Sequence, residues 1–494
     1  MKYDIKGLLC CLEPPAGGGQ LCSERVSREY SIGSGGDFVV GNHWPAPLLR
    51  LRARFQRPAV KAERRYSIDM VNGPLAGKLL LFALPLILSS VLQLLFNAAD
   101  IVVVGRYVGK EALAAVGSTS SLVNLLVNLF AGFSVGANVV VARDLGAGRE
   151  KDVADSVHTA ISLALISVLL LTLTGVTLAR PLLVLTSSPT DVIGLATLYL
   201  RVYFCGMPAN MLYNFGAAIL RAQGDTQRPL YFLTFAGVIN VALNLLFVIV
   251  LQMSVAGVAL ATIISQYISA ALVLLCLVRD TGPLHLDLKA LRIDKRVVKR
   301  TLQVGLPAGF QGIVFSLSNV VIQSSINSFN STAIVAGSAA AANIEGFVYA
   351  SMNAFCQTSL TFVSQNYGAG KCKRVDRSLL LCLVYVTATG LLLGNLAFGF
   401  GRSLAAVYAP GEEEVIAQAI VRLRFTCVLY CLCGIMDTMV GGLRGLGYSV
   451  VPMVGSLLGA CGLRLLWVAT VFRFFPSPPV QYMRYPITRT VSSL

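Results

Sequence analysis

From residue 79 onward the chain repeats one pattern: a long, mostly apolar stretch, then a short connection carrying Lys, Arg, Pro or Gly. About eleven such stretches fall near residues 79–104, 112–141, 155–179, 192–220, 229–250, 255–278, 301–327, 333–364, 379–401, 415–441 and 450–472. As helices, runs of about 20 residues span the roughly 30 Å apolar thickness of a bilayer. Lipid offers no partner to a bare N–H or C=O, so helices that satisfy their own backbone are what such runs can form. The expected fold is an all-α polytopic membrane protein. With 13% of its residues charged, against roughly 25% in soluble domains, the chain is not an ordinary soluble protein.

The net charge of +16 does not require a nucleic-acid partner, because the basic residues sit in the connections. One set of connections holds Arg143, Arg149 and Lys151, Arg221 and Arg228, seven basic residues within 279–300, and Lys371, Lys373, Arg374 and Arg377. The other set holds little beyond Arg106, Lys110, Arg180 and Arg402. The rule that cytoplasmic loops are the positive ones predicts a cytoplasmic N-terminus in a multi-pass protein of the plasma membrane. Of the 12 Cys, seven lie inside apolar runs and read as small reduced core residues. His43, His158 and His285 are far apart, so neither a metal site nor a Ser/Cys–His catalytic pair is expected. No enzyme and no bound cofactor follow from this sequence; lipid and small organic molecules are the expected partners, with no obligate protein partner.

An internal repeat organises the spans. A shift of 222 residues aligns Leu84-Pro85 with Leu306-Pro307, Asn97 with Asn319, and Gly146-Ala147-Gly148 with Gly368-Ala369-Gly370. A shift of 223 then pairs Leu200-Arg201 with Leu423-Arg424, Leu220-Arg221 with Leu443-Arg444, Gly224 with Gly447 and Pro229 with Pro452. Six helices separate equivalents, so the two halves share one orientation. Parallel repeats of this kind place transporter substrates between two bundles near the membrane midplane.

Several segments together resemble multidrug and toxic compound extrusion (MATE) transporters: Gly73-Pro74 through Pro85, Asn97-Ala-Ala-Asp100-Ile-Val-Val-Val-Gly105-Arg-Tyr-Val-Gly109, Gly146-Ala-Gly-Arg149, Leu220-Arg221-Ala-Gln-Gly224-Asp-Thr-Gln-Arg-Pro229, and Leu443-Arg444-Gly-Leu-Gly447 with Pro452. The resemblance covers about residues 70–472. It implies twelve helices in two six-helix bundles and export of bulky, often cationic organic compounds against inward H⁺ or Na⁺. The expected organisation is a disordered or spurious extension over 1–69, an N-lobe over 70–278, a basic cytoplasmic linker over 279–300, and a C-lobe over 301–494. Residues 474–494 contain Pro and Arg and lack an 18-residue apolar run, so the twelfth helix is expected to be missing.

Intramembrane polar groups are the candidates for chemistry, since burying a charge in a span costs roughly 2.5–3.5 kcal/mol on insertion scales. Asp100 is the leading cation-coupling residue: it lies in an apolar stretch of helix one, and the resemblance puts it at the family's helix-one aspartate. Asn240 and Asn244, one turn apart on helix five, are placed to join it; the family often has Asp at the position of Asn244. Gln93, Asn97, Glu345 and Asp437 are candidate cavity residues, the two acids as attractors of cations. Where some family members carry a helix-seven glutamate, this chain has Phe315. Pro85 and Pro307 each remove a backbone hydrogen bond and are candidate hinges. The repeat-related Arg201 and Arg424 suggest architectural pairing with an acid or with backbone carbonyls.

A flippase of lipid-linked saccharides is the competing expectation. It would place several cations in the central cavity, where the sequence offers few. An ATP-driven pump is disfavoured, because Gly73 to Gly77-Lys78-Leu79 is one residue short of a phosphate loop and has Leu where Ser or Thr is needed.

Overall fold

The computed structural model describes residues 66–103, 110–185, 193–329, 331–475 and 477–493. Residues 1–65, with most of the expected extension, and 105–109 of the helix-one motif lie outside them. Among the described residues the protein is all helix. The N-lobe comprises α1 (Leu75–Val103), α2 (Lys110–Gly146), α3 (Glu150–Leu185), α4 (Ile193–Gln223), α5 (Gln227–Leu245) and α6 (Ser254–Val278). The C-lobe comprises α7 (Lys295–Asn327), α8 (Thr332–Gly368), α9 (Cys372–Gly399), α10 (Gly401–Tyr408), α11 (Glu413–Cys427), α12 (Cys431–Gly445), α13 (Val450–Ser456), α14 (Leu463–Ala469), α15 (Val471–Phe474) and α16 (Pro478–Ser493). Nine described spans are long and apolar enough to cross a membrane, and α11 with α12, bent by 46°, make a tenth. α4 is equally long, at 31 residues, and is held in the N-lobe by buried Phe204, Met207, Met211 and Phe215.

The repeat is visible in the backbone. Gly148 and Gly370, at φ 67° and 69°, close the turns after α2 and α8; Gly224 and Gly447, at 99° and 91°, close those after α4 and α12. A side chain is strained at such φ, so both halves keep glycine at these turns. The lobes meet mainly through α2 and α7. Gly132 and Gly136 of α2 face the backbone of Thr301, Gly305 and Gly309 in α7, and a Cβ at Gly305 would fall 2.8 Å from the Gly132 carbonyl oxygen. Small residues allow this approach, which maximises van der Waals contact where lipid gives no hydrophobic driving force.

Among the described residues, polar contacts between the lobes gather on the face that carries the basic connections. Arg143 Nη2 donates to the Leu446 carbonyl at 2.9 Å, and its repeat equivalent, Gln365, donates to the Ala222 carbonyl at 3.1 Å. Phe82 of α1 packs edge-to-face on Phe362 of α8, centroids 5.5 Å apart. Toward the other face, Asn128 Nδ2 donates to Ser316 Oγ at 3.3 Å, the last polar link in that direction among the described residues.

Three expectations change. Residues beyond 474 do form a helix: α16, 16 residues long, about 24 Å at 1.5 Å per residue. It begins one residue from where the 223 shift carries the start of α6. Gln481, Tyr482, Arg484 and Thr488 are buried against the lobe, and the C-lobe face beside Ile322 and Ile326 is covered by Tyr482 and Tyr485. The helix is too short and polar for the hydropathy rule because its polar side chains face inward. The 279–300 segment, expected as a basic linker, packs onto the N-lobe. Leu284 and Leu286 are fully buried in the N-lobe core, the Asp287 N–H donates to His158 Nε2 at 3.2 Å, and Arg292 pairs with Asp155. Finally, the folded body starts before Met70: the Ile68 N–H donates to the Gly224 carbonyl at 3.2 Å, and Asp69 accepts from the Val71 and Asn72 N–H groups at 3.0 and 3.1 Å.

Candidate functional site

Helical spacing brings the N-lobe site together. Gln93, Asn97 and Asp100 fall at i, i+4 and i+7 on α1, one stripe of the helix; Gln93 and Asn97 are exposed and Asp100 is half-buried. Asn240 and Asn244, both buried, present their amides to the end of that stripe. Asn244 Nδ2 donates to Asp100 Oδ1 at 2.5 Å and to Asn240 Oδ1 at 3.3 Å. Asn240 Nδ2 donates to Thr262 Oγ1 of α6 at 3.4 Å. Asn244 Oδ1 is buried with no hydrogen-bond donor. An unmatched acceptor beside a carboxylate makes a site rich in oxygen lone pairs, the donor set that suits a hard cation. Directly after Asn244, Leu246–Val250 is π-helical, a distortion common at functional sites.

Sequence reasoning missed Thr262, Tyr199 and Tyr203. The two tyrosine rings stack on α4 with centroids 5.9 Å apart, within electrostatic reach of Asp100, and Tyr203 bonds Gln266. The available signal was spacing, since Tyr199 and Tyr203, like Thr262 and Gln266, stand four apart on apolar helices.

The two C-lobe acids stand in different surroundings. Glu345 is buried and engaged: Arg422 Nε donates to Oε1 at 2.9 Å and Nη2 to Oε2 at 3.0 Å, and the Thr426 hydroxyl donates to Oε1 at 2.7 Å. A carboxylate clamped this way is neutralised in place and does not attract cations from a cavity. Asp437 is half-buried, close enough to Tyr349 and Arg444 to interact with both. Arg444 Nη2 also donates to Gln311 Oε1 at 2.5 Å. Arg201 and Arg424 are exposed rather than paired inside the bundle; on α11 the arginine that is buried is Arg422, two residues before Arg424.

An apolar cavity of about 430 Å³ lies on the C-lobe, lined by residues of α8, α9 and α10 such as Ile344, Phe347, Leu393 and Leu404, with Val91 of α1 as its one N-lobe residue. Its size falls within the roughly 300–1,000 Å³ range of small-molecule pockets. None of the four expected cavity residues lines it, although Gln93 lies two residues from Val91 and Glu345 follows Ile344 on α8. Pro85 is buried inside α1 and Pro307 lies inside α7; both helices run on through them.

Comparison with known proteins places this arrangement. The MatE family model matches the chain twice, over residues 85–246 and 307–469, the same two halves that the internal repeat defines. The "Probable multidrug resistance protein YoeA" of Bacillus subtilis is 26% identical over 392 residues, covering 78% of this chain and 84% of its own. The "FAD transporter" of Shewanella oneidensis is 26% identical over 404 residues, covering 80% and 87%. A crystal structure of MATE in complex with MaL6 superposes with a TM-score of 0.81 at 20% identity, covering 86% of this chain and 95% of that one. With two thirds of its residues inside the matched halves, the chain belongs to the MatE family of multidrug and toxic compound extrusion transporters.

Proposed function

We propose that this transporter exports organic, drug-like compounds in exchange for inward H⁺ or Na⁺, with the cation held at Asp100. The observation that carries the reading is the closed set of Asp100, Asn244, Asn240 and Thr262, whose acceptor atoms outnumber their donors. A proton on Asp100, or a Na⁺ among these oxygens, changes the charge of the site, and the exposed stripe of Gln93 and Asn97 gives the cation a polar approach to it. Relatives named for multidrug resistance support drug efflux. The apolar cavity at Val91 supplies the surface that bulky, weakly specified substrates need. Asp437 supports cationic substrates, and the engaged Glu345 does not.

Lobe contacts gathered on the basic face support a cleft open toward the opposite face. With the basic face cytoplasmic, the arrangement is outward-facing, and Pro85 and Pro307 mark where α1 and α7 bend as the lobes exchange contacts. The flippase reading is weaker. Arginines are buried in the C-lobe, but inside the bundle, where a bulky lipid-linked saccharide does not fit.

The test is efflux from proteoliposomes of the intact chain, with pH and Na⁺ gradients imposed separately at fixed membrane potential and no ATP. Dye export driven by one gradient and abolished in Asp100→Asn is the expected result. Export that requires ATP, or that proceeds unchanged in Asp100→Asn, contradicts the reading.

A further inference from the structure

At the place equivalent to the N-lobe site, the C-lobe carries a cluster of the opposite charge. The 223 shift takes Tyr199 onto Arg422, Tyr203 onto Thr426 and Thr262 onto Tyr485, and the 222 shift takes Asp100 onto Ile322. These residues converge in the fold as their counterparts do: Ile322, Tyr482 and Tyr485 share one core cluster, and the Arg422 guanidinium lies 5.8 Å from the Tyr485 ring. Arg464 of α14 and Arg484 of α16 approach the same ring at 5.4 and 4.9 Å. The π-helical segment Leu457–Gly462 leads directly into α14, as the N-lobe π-helical segment adjoins Asn244.

The charges do not balance. Among the described residues Glu345 is the carboxylate that meets this cluster, and Arg422 and Thr426 already engage both of its oxygens. Arg464 is 6% exposed and Arg484 not at all. The Nε of Arg464 and both Nε and Nη1 of Arg484 are buried without a hydrogen-bond acceptor. A guanidinium cannot shed its proton to escape burial, and an unpaired buried ion is strongly penalised by the loss of its hydration. The ring contacts of Arg464 and Arg484 with Tyr485, and the long 3.5 Å bond from Arg484 Nη2 to the tyrosine hydroxyl, bring no counter-charge. The unmatched donors call for a negatively charged acceptor, and the planar fork of Arg suits carboxylate and phosphate oxygens.

We infer that the C-lobe holds a binding site for one oxyanion, a carboxylate or phosphate group, between Arg464 and Arg484 beside Tyr485. The group is either a free anion or the acidic end of a transported organic molecule; the two present the same chemistry to the arginines. Because Arg484 is sealed from solvent, slow exchange is expected. The site goes beyond the cation-coupled export proposed above and does not depend on it.

The experiment uses the intact chain in detergent micelles without any ion gradient, so its outcome is independent of efflux. Binding and thermal unfolding are followed with inorganic phosphate and, separately, with the carboxylate dye fluorescein, after long incubation. Saturable stabilisation by at least one probe is expected, weakened about tenfold or more in Arg464→Gln and Arg484→Gln, partly retained in Arg484→Lys, and unaffected by Asp100→Asn. Phosphate binding identifies a free anion as ligand, and binding of fluorescein alone identifies an organic acid. Failure of both probes to bind the wild-type chain, or wild-type binding by Arg464→Gln, overturns the inference even if Arg484→Gln does not fold.

Discussion

In the N-lobe, Asp100 ends a chain of hydrogen bonds that runs through Asn244 and Asn240 to Thr262; at the equivalent place in the C-lobe, Ile322 stands beside Tyr485, with Arg422, Arg464 and Arg484 around the ring. The helices that frame the two places are repeat-related, and even the positive-φ glycines of their turns correspond. The scaffold therefore does not decide the sign of the site. Few side-chain differences decide it, which fits the general separation of fold from function.

The most damaging change to the comparison is expected from Asp100→Asn, which keeps the shape of the side chain and removes its charge. Ion-driven dye export from proteoliposomes should fall to background, with insertion unchanged. Retained export at equal expression would separate the N-lobe site from coupling altogether.

Next in size is Glu345→Ala. Deleting the carboxylate leaves Arg422 buried and unpaired, and breaking a buried pair from one side costs about 3–5 kcal/mol. A large drop in unfolding midpoint is expected, with much of it recovered in the double variant Glu345→Ala/Arg422→Met, which removes both charges. Equal loss in the single and double variants would show that packing, not charge, dominates there.

Ile322→Asp sharpens the comparison more gently by writing the N-lobe acid into the C-lobe. The new carboxylate arrives beside Tyr482 and Tyr485 and supplies the counter-charge the arginines lack. Phosphate or fluorescein binding should weaken by about tenfold or more, while the protein stays folded. Unchanged anion binding would mean that the two positions are equivalent in sequence only.

The same contrast explains which parts were legible in the sequence. Apolar runs gave the spans because lipid enforces them residue by residue. Asp100 with Asn240 and Asn244 stood out because polar groups at helical spacing in apolar runs are costly in lipid and persist where they meet a partner or a ligand. α16 escaped because hydropathy assumes polar residues face away from the protein, whereas Gln481, Arg484 and Thr488 face into it. Arg424 drew notice over Arg422 because it is the one the repeat shares. What the halves share reports the scaffold; the sites lie where they differ, as at Tyr199 and Arg422 or Thr262 and Tyr485. No local pattern announces a hydroxyl such as that of Thr262, whose importance comes from the amide it meets across two helices.

That hydroxyl yields the smallest expected effect and the finest test of the N-lobe arrangement. Thr262 Oγ1 accepts from Asn240 Nδ2 at 3.4 Å and donates to the Val258 carbonyl at 2.9 Å, so it fixes which way the Asn240 amide turns. With Asn240 oriented, its Oδ1 faces Asn244, which in turn holds Asp100. Thr262→Val keeps the shape and leaves the Asn240 N–H₂ without that acceptor, at a cost of roughly 1 kcal/mol. If Thr262 acts only through Asn240, the apparent affinity for the driving cation should fall about fivefold, and the maximal rate of export should hold, because the carboxylate remains. Thr262→Ser should restore the affinity. A drop in maximal rate with unchanged cation affinity would instead make Thr262 a packing residue of α6 and detach it from the site.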